Sequence, residues 1–174
     1  MPERKSYSES CRVLKEQGLW EGDEIPALPE RAPRHDDEQL GVGFFRTQLA
    51  DARLDGLTLS RTYFGRSEIR GVSFRGTDLS ESTANWNDFI DVDFSAADLS
   101  HADLRASVFE RVSFRGSVLR GADLRRSTFR DCTFADADMT NTRLTRSFGW
   151  LFRLSRRQRA VIDWQPPGPE PEGG

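Results

Sequence analysis

The sequence predicts an all-β solenoid of about five coils with short helical flanks, a rod built from one small unit repeated along the chain. Three observations carry that expectation. Every fifth residue from Phe44 to Leu144 is Phe, Leu, Ile or Met, with Ala84 the one departure, and the run has no insertion. The position two residues earlier is small or β-branched, as at Ala52, Val72, Val92, Ala97, Ala102, Val112, Ala122, Cys132 and Ala137. Like also recurs on like every 20 residues: Phe74, Phe94, Phe114 and Phe134 form one series, and Leu79, Leu99, Leu119 and Met139 the next.

A period of five matches neither the α-helix, at about 3.6 residues per turn, nor the plain strand, at about 2. It matches a chain that turns a corner every five residues. Side chains two apart on a short extended segment share a face, so the large residue and the small one before it both point inward. Gly56, Gly71, Gly76, Gly116 and Gly121 fall at the corner, where a Cβ is a liability. This pattern, read as Ala-Asp-Leu-Ser-His and Ala-Asp-Leu-Arg-Ala at 97–106, resembles the pentapeptide-repeat family over residues 42–146. The resemblance implies a right-handed quadrilateral β-helix in which four pentads make one coil. At a strand spacing of about 4.8 Å the rod would be roughly 25 Å long. Each coil is buried only by its neighbours, so both ends need caps.

The chain divides into four segments. Residues 1–40 hold a short helix and an acidic, Pro-rich linker. Within them 6–19 is expected to be helical, with Ser8 as N-cap, Cys11 and Leu14 on one face, and Gly18 as the stop. Residues 22–38, with Pro26, Pro29 and Pro33, read as a linker draped on the rod or loose. Residues 41–146 are the β-helix. Residues 147–165 form a C-terminal apolar cap and helix: Phe148, Trp150, Leu151, Phe152 and Leu154 cluster, then Ser155 and Gln158 have capping-box spacing and open a helix through about Trp164. The tail 166–174 is rich in Pro and Gly and is expected to be disordered.

Composition fits a thin rod, with 36% apolar and 30% charged residues and a net charge of −3. Residues 1–40 carry six Lys/Arg against ten Asp/Glu, whereas 41–146 carry fifteen of each. A general nucleic-acid binder is clearly basic, so no direct nucleic-acid partner is expected. No apolar run approaches the roughly 18 residues of a membrane span, so no membrane partner is expected either. No secretory signal follows Met1, and Cys11 and Cys132 lie far apart; reduced thiols in a cytoplasmic setting follow.

Nothing in the chain points to catalysis. His35 and His101 lack metal-ligand spacing, and no Gly-rich phosphate motif is present. Asp91 with Asp93, and Asp136 with Asp138, sit in a repeat that favours Asp just before the core residue. Cys132 occupies an inward position. The expectation is a protein with no enzyme activity, cofactor or metal.

The charged surface is the candidate for function. Asp78, Glu81, Asp88, Asp91, Asp93, Asp98 and Asp103 fall in one stretch without Lys or Arg, and seven arginines follow between Arg105 and Arg130. Folded, this stacks an acidic coil beside a basic one. The charges either pair between coils, as Asp91, Arg111 and Asp131 would in the 20-residue register, or face a partner. Trp86 either stands out as an interface anchor or folds back to fill the space beside Ala84.

The leading expectation is therefore a protein-binding solenoid, an immunity, resistance or regulatory factor whose partner is another protein, with recognition carried by the seven acids and Trp86. The family resemblance implies an alternative. Its best-understood members resemble B-form DNA in shape and charge, protect type II topoisomerases such as gyrase, and dimerise through a C-terminal module. In this chain Phe148, Trp150, Leu151 and Phe152 would be that module, or only a cap. A DNA mimic needs an acidic rod, and the repeat region here nets zero. A structural scaffold with no dedicated partner is the third reading.

Overall fold

The computed structural model describes residues 3–35, 38, 40–146 and 154–167. Helix α1 (Tyr7–Glu16) precedes strands β1 (Gly43–Phe45), β2 (Gln48–Ala50), β3 (Tyr63–Gly65), β4 (Glu68–Arg70), β5 (Asp88–Ile90), β6 (Val108–Glu110), β7 (Thr128–Arg130) and β8 (Arg143–Thr145). Helix α2 (Arg156–Val161) and strand β9 (Asp163–Gln165) follow. All pairings are parallel and advance 20 residues: β2, β4, β5, β6 and β7 form one sheet, and single bridges such as Ser73↔Asp93 and Asp78↔Asp98 continue the other faces. The fold is a right-handed β-helix of about six turns. The repeat alone predicts about five; the extra level is β9, which pairs in register with β8 after α2 has crossed the end of the rod.

Four faces result. The first is centred on Phe44, Phe64, Ala84, Leu104, Leu124 and Leu144, the second on Leu49, Ile69, Phe89, Phe109 and Phe129. The third carries Leu54 and the column Phe74, Phe94, Phe114, Phe134; the fourth carries Leu59, Leu79, Leu99, Leu119 and Met139. All of these are buried. The phenyl rings stack within each face and meet edge-on between the second and third faces, as Phe89–Phe109 (5.0 Å, 3°) and Phe109–Phe114 (5.4 Å, 63°) do. The small positions also turn inward, although Ala52 and Cys132 are only partly buried. The aspartates at 78, 98, 103 and 123, just before core residues, are half-buried. Neighbouring coils lie only about 4.8 Å apart, so the coils above and below cover them.

Ala84 leaves a small void of about 10 Å³ between Phe64, Phe89, Phe94 and Leu104. Ala84→Leu adds three carbons, more than this water-sized space admits, so it is expected to lower stability by about 1–3 kcal/mol, read as a lower denaturation midpoint. A raised midpoint would mean that the surrounding rings shift to admit the larger side chain.

The corners explain how a β-rich chain turns so often. From 46 to 141, every position numbered in 1 or 6 has φ between 50° and 69° or is a glycine in the same range. Nine pentads close an i to i+3 hydrogen bond across this residue, for instance Thr77 N–H to Phe74 O (3.1 Å), which makes them type II turns. Glycine takes such a conformation freely at Gly76 and Gly116, whereas side-chain-bearing residues strain by about 1–2 kcal/mol. None of those side chains is Val, Ile or Thr, the types that tolerate positive φ least.

The corner between the first and second faces is built differently. Here a buried polar ladder, Thr47, Ser67, Asn87, Ser107 and Ser127, replaces most of the turn bonds. The N–H of each of the first four donates to the side chain of the next coil: Thr47 N to Ser67 Oγ at 3.1 Å, Ser67 N to Asn87 Oδ1 at 2.8 Å, Asn87 N to Ser107 Oγ at 3.2 Å, Ser107 N to Ser127 Oγ at 3.2 Å. The same side chains reach the core carbonyls below, with Asn87 Nδ2 on Phe64 O at 2.6 Å and Ser127 Oγ on Leu104 O at 2.8 Å.

Both ends are closed. Ser6, not Ser8, caps α1, because only Ser6 has Glu9 three residues on to complete the reciprocal pair. The helix buries Cys11 and Leu14 against the first coil. Its approach satisfies that coil's free edge: Lys5 N donates to Gly56 O (2.9 Å), Thr58 N to Ser10 Oγ (2.8 Å) and Val42 N to the Tyr7 hydroxyl (3.0 Å). Burial pushes the Tyr7 hydroxyl up to about 12. The linker is draped: Arg61 Nη1 donates to Pro29 O and Thr83 Oγ1 to Pro33 O. At the other end the Ser155–Gln158 box starts α2, but the helix stops at Val161 and Trp164 lies in β9 rather than in the helix. Gln158 is buried and its amide donates to Phe134 O (2.7 Å) and Ala137 O (3.1 Å), while Leu154 and Ile162 cover the last coil. Phe148, Trp150, Leu151 and Phe152, and the tail from 168 on, lie outside the described residues. Among the described residues no helix is long and apolar enough to cross a membrane.

Candidate functional site

The acidic stretch winds around the rod and does not gather on one face. Asp78 and Asp98 stand on the fourth face, Asp88 on the opposite second face, Asp93 on the third and Asp103 on the first. Glu81 and Asp91 occupy two different corners. Most are engaged by arginine: Glu81 by Arg61 (3.1 Å), Asp91 by Arg111 (2.9 Å to Nη2), Asp93 by Arg75 (3.6 Å), Asp103 by Arg105 (2.7 Å) and Asp78 by Arg4 (4.0 Å). Asp88 and Asp98 make no ion pair among the described residues; Asp98 accepts from Ser100 instead. The Arg111 hydrogen bonds hold the Asp91 carboxyl below the usual carboxylate range. Asp138 is held down to about 2, first by the Thr140 hydroxyl and then by Arg120. The expected column Asp91–Arg111–Asp131 forms only at its lower half, since Arg111 turns to Asp91 and to its neighbour Glu110.

Trp86 does not fold back over Ala84. It is 62% exposed, the most exposed of the large apolar side chains among the described residues, on a corner with φ 58°. Its surroundings are basic. The edge between the first and second faces comprises the two residues after each first-face core position, at 45 and 46, 65 and 66, and so on in steps of 20. These positions hold Arg46, Arg66, Arg105, Arg125, Arg126 and Arg146, and no acid. The neighbouring edge between the second and third faces mixes Asp51, Asp91, Glu110 and Asp131 with Arg70, Arg111 and Arg130.

Linear reading places Arg105, Arg125 and Arg126 in the basic run but leaves Arg46, Arg66 and Arg146 outside it, so the six do not appear as a group along the chain. Only comparison at intervals of 20 brings them together. Arg105 is bidentate on Asp103, and Arg125 on Asp123, through Nε and Nη2. Arg46 lies over the Phe45 ring at 5.1 Å. Arg66, Arg126 and Arg146 are exposed and make no ion pair among the described residues. Between Trp86 and Arg126 the column drops to Ala106, and the notch so formed, about 260 Å³, is lined by Trp86, Arg105, Ala106, Arg125 and Arg126.

Among the described residues no group of His, Cys, Asp and Glu could hold a metal ion. Cys132 lies half-buried with Sγ near Phe109 O and Arg130 O at 3.4 Å, and burial pushes its thiol up, which disfavours a nucleophilic thiolate. His101 lies across Gly121, at a corner.

The family model described as pentapeptide repeats matches eight copies, over residues 44–83, 88–125 and 107–146. No curated protein matches the chain. Among solved structures, HetL, a pentapeptide repeat protein involved in heterocyst differentiation regulation from the cyanobacterium Nostoc sp. strain PCC 7120, aligns with TM-score 0.56 and 18% identity over 57% of this chain and 48% of that one. A pentapeptide repeat protein of the Arabidopsis thaliana thylakoid lumen aligns with TM-score 0.34 and 29% identity, over 66% and 72%. QnrB1, a plasmid-mediated fluoroquinolone resistance protein, aligns with TM-score 0.23 and 20% identity, over 59% and 58%. The chain thus spans about half of HetL, and the likeness to it is one of fold.

Proposed function

The chain belongs to the pentapeptide-repeat family, and from that premise we propose that it is a non-enzymatic protein-binding solenoid, a resistance or regulatory factor that acts through its charged outer surface. The observation that carries this reading is Trp86. A 62%-exposed indole contributes nothing to the core, and its backbone sits in the strained left-handed region. Ala96 and Ala106 occupy equivalent corners, so the fold does not need a large side chain there. Trp and Arg together are the residue types enriched among interface hot spots.

The seven acids support the reading less than Trp86 does, because most of them already serve ion pairs of the rod itself. That same arrangement speaks against DNA mimicry of the kind used by topoisomerase protectors. A mimic requires a continuous acidic stripe, and here the carboxylates of Asp91, Asp93 and Asp103 alternate with the guanidiniums that neutralise them.

Trp86→Ala is expected to leave stability within about 0.5 kcal/mol of the parent. It is also expected to remove a protein that the parent chain retains from native cell extract. The measurement is affinity capture with both chains side by side, with thermal midpoints as the folding control. An identical set of retained proteins, or none with either chain, would overturn the proposal.

A further inference from the structure

The basic edge defines what kind of partner Trp86 meets. We infer that the edge between the first and second faces is a docking strip for an acidic extended segment of a protein, with the notch at Ala106 receiving one of its carboxylate side chains. This rests on the protein-binding reading above and adds the chemistry of the partner.

Three features support it. First, the strip is of one sign. Six arginines and no acid occupy it, although the repeat region as a whole nets zero. Second, part of that charge is unspent: Arg66, Arg126 and Arg146 are exposed and unpaired among the described residues. Arg105 and Arg125 are fixed in orientation by Asp103 and Asp123 through Nε and Nη2, and no bond among the described residues uses their Nη1 groups. A guanidinium held in this way presents its remaining N–H groups in a set direction, suited to a carboxylate. Third, the notch has the composition of a carboxylate seat beside an apolar wall. Arg105, Arg125 and Arg126 stand around its floor at Ala106, and Trp86 closes one side.

The strip fits a protein segment better than a nucleic acid. A phosphate chain would carry charge along its whole length, over a protein with net charge −3. It would also meet the acids beside the strip, Asp103 and Asp123 on the first face and Glu68 and Asp88 on the second. A segment with a few carboxylates matches the few free guanidiniums, and a single Trp offers no stacking series for successive bases.

The test uses the full chain and a fluorescently labelled decapeptide carrying three glutamates among glycine and serine residues, with fluorescence anisotropy read at low salt. Saturable binding is expected, weakening as salt rises. Binding should weaken about tenfold in the Arg66→Glu, Arg126→Glu double variant, and similarly in Ala106→Glu, which fills the notch and adds charge of the wrong sign. A matched peptide with glutamine at the three glutamate positions should not bind. The neutral Arg66→Gln, Arg126→Gln pair provides the same comparison should charge reversal lower the thermal midpoint. The inference is overturned by no saturable binding, by equal binding to parent and variants, or by an oligothymidylate binding more tightly than the peptide. If the peptide fails while Trp86-dependent protein capture persists, only the acidic-segment inference falls. If both fail, the protein-binding reading falls with it.

Discussion

Phe114→Ala is expected to destabilise the protein by about 3–5 kcal/mol. Phe114 is fully buried. It stacks on Phe94 at 5.5 Å and on Phe134 at 4.7 Å, and meets the edge of Phe109 at 5.4 Å. Removing the ring therefore unsupports three others at once. The coils above and below cannot collapse into the space, because the parallel bridges Asp93↔Ser113 and Ser113↔Thr133 fix their separation. Chemical denaturation followed by circular dichroism measures the change. An unmoved midpoint would contradict the stacked column. In a rod whose coils touch only their neighbours the loss has a second signature: the transition should broaden as the two halves begin to uncouple.

Asn87→Ala is expected to cost about 2–4 kcal/mol, from one small polar side chain. It strands two buried groups, the Phe64 carbonyl and the Ser67 N–H, both of which bond to the Asn87 amide. Both hydrogen bonds are buried. Asn87→Ser should restore most of the loss, because Ser67, Ser107 and Ser127 fill the equivalent place on other coils. Equal instability of the Ala and Ser variants would mean that the packing volume of Asn87 matters, and not its hydrogen bonds. The position also bears on the function proposed for Trp86: Asn87 adjoins it, so the ladder fixes the corner from which the indole projects.

The β-helix was legible because its core rule is local. A large residue every five positions, from Phe44 to Leu144, is enough to turn all of these side chains inward, and all of them are buried. The polar ladder was less legible. Ser and Thr at its positions pass as merely small residues, and only Asn87 breaks the pattern visibly. The end of α2 was missed because the stretch before Trp164 has helical spacing, whereas the strand pairing of β9 on β8 depends on a neighbour 20 residues away. The proposed surface was half legible. Trp86 stood out from the sequence as an irregularity beside Ala84. The acids around it were grouped by adjacency along the chain, yet adjacency along a coil means separation around the rod. Asp88 and Asp98, ten residues apart, end on opposite faces. Arg66, Arg126 and Arg146, widely separated in sequence, end on one edge.

The left-handed corners have an entropic consequence for recognition. In a loop-based binding site, part of the interaction energy is spent on immobilising backbone when the partner arrives. Here the Cα–Cβ direction of each corner residue is already set, by its own φ and by hydrogen bonds such as Trp86 N–H to Arg105 O (3.1 Å) and Ala106 N–H to Arg125 O (3.0 Å). Association then leaves only side-chain rotamers to restrict, about 0.5–1.5 kcal/mol for each long side chain immobilised. A narrow edge with few contacts can thus bind more tightly than its area suggests. Exchanging one corner side chain for another, so long as it is not β-branched, would alter which partner is preferred while leaving the scaffold beneath it unchanged.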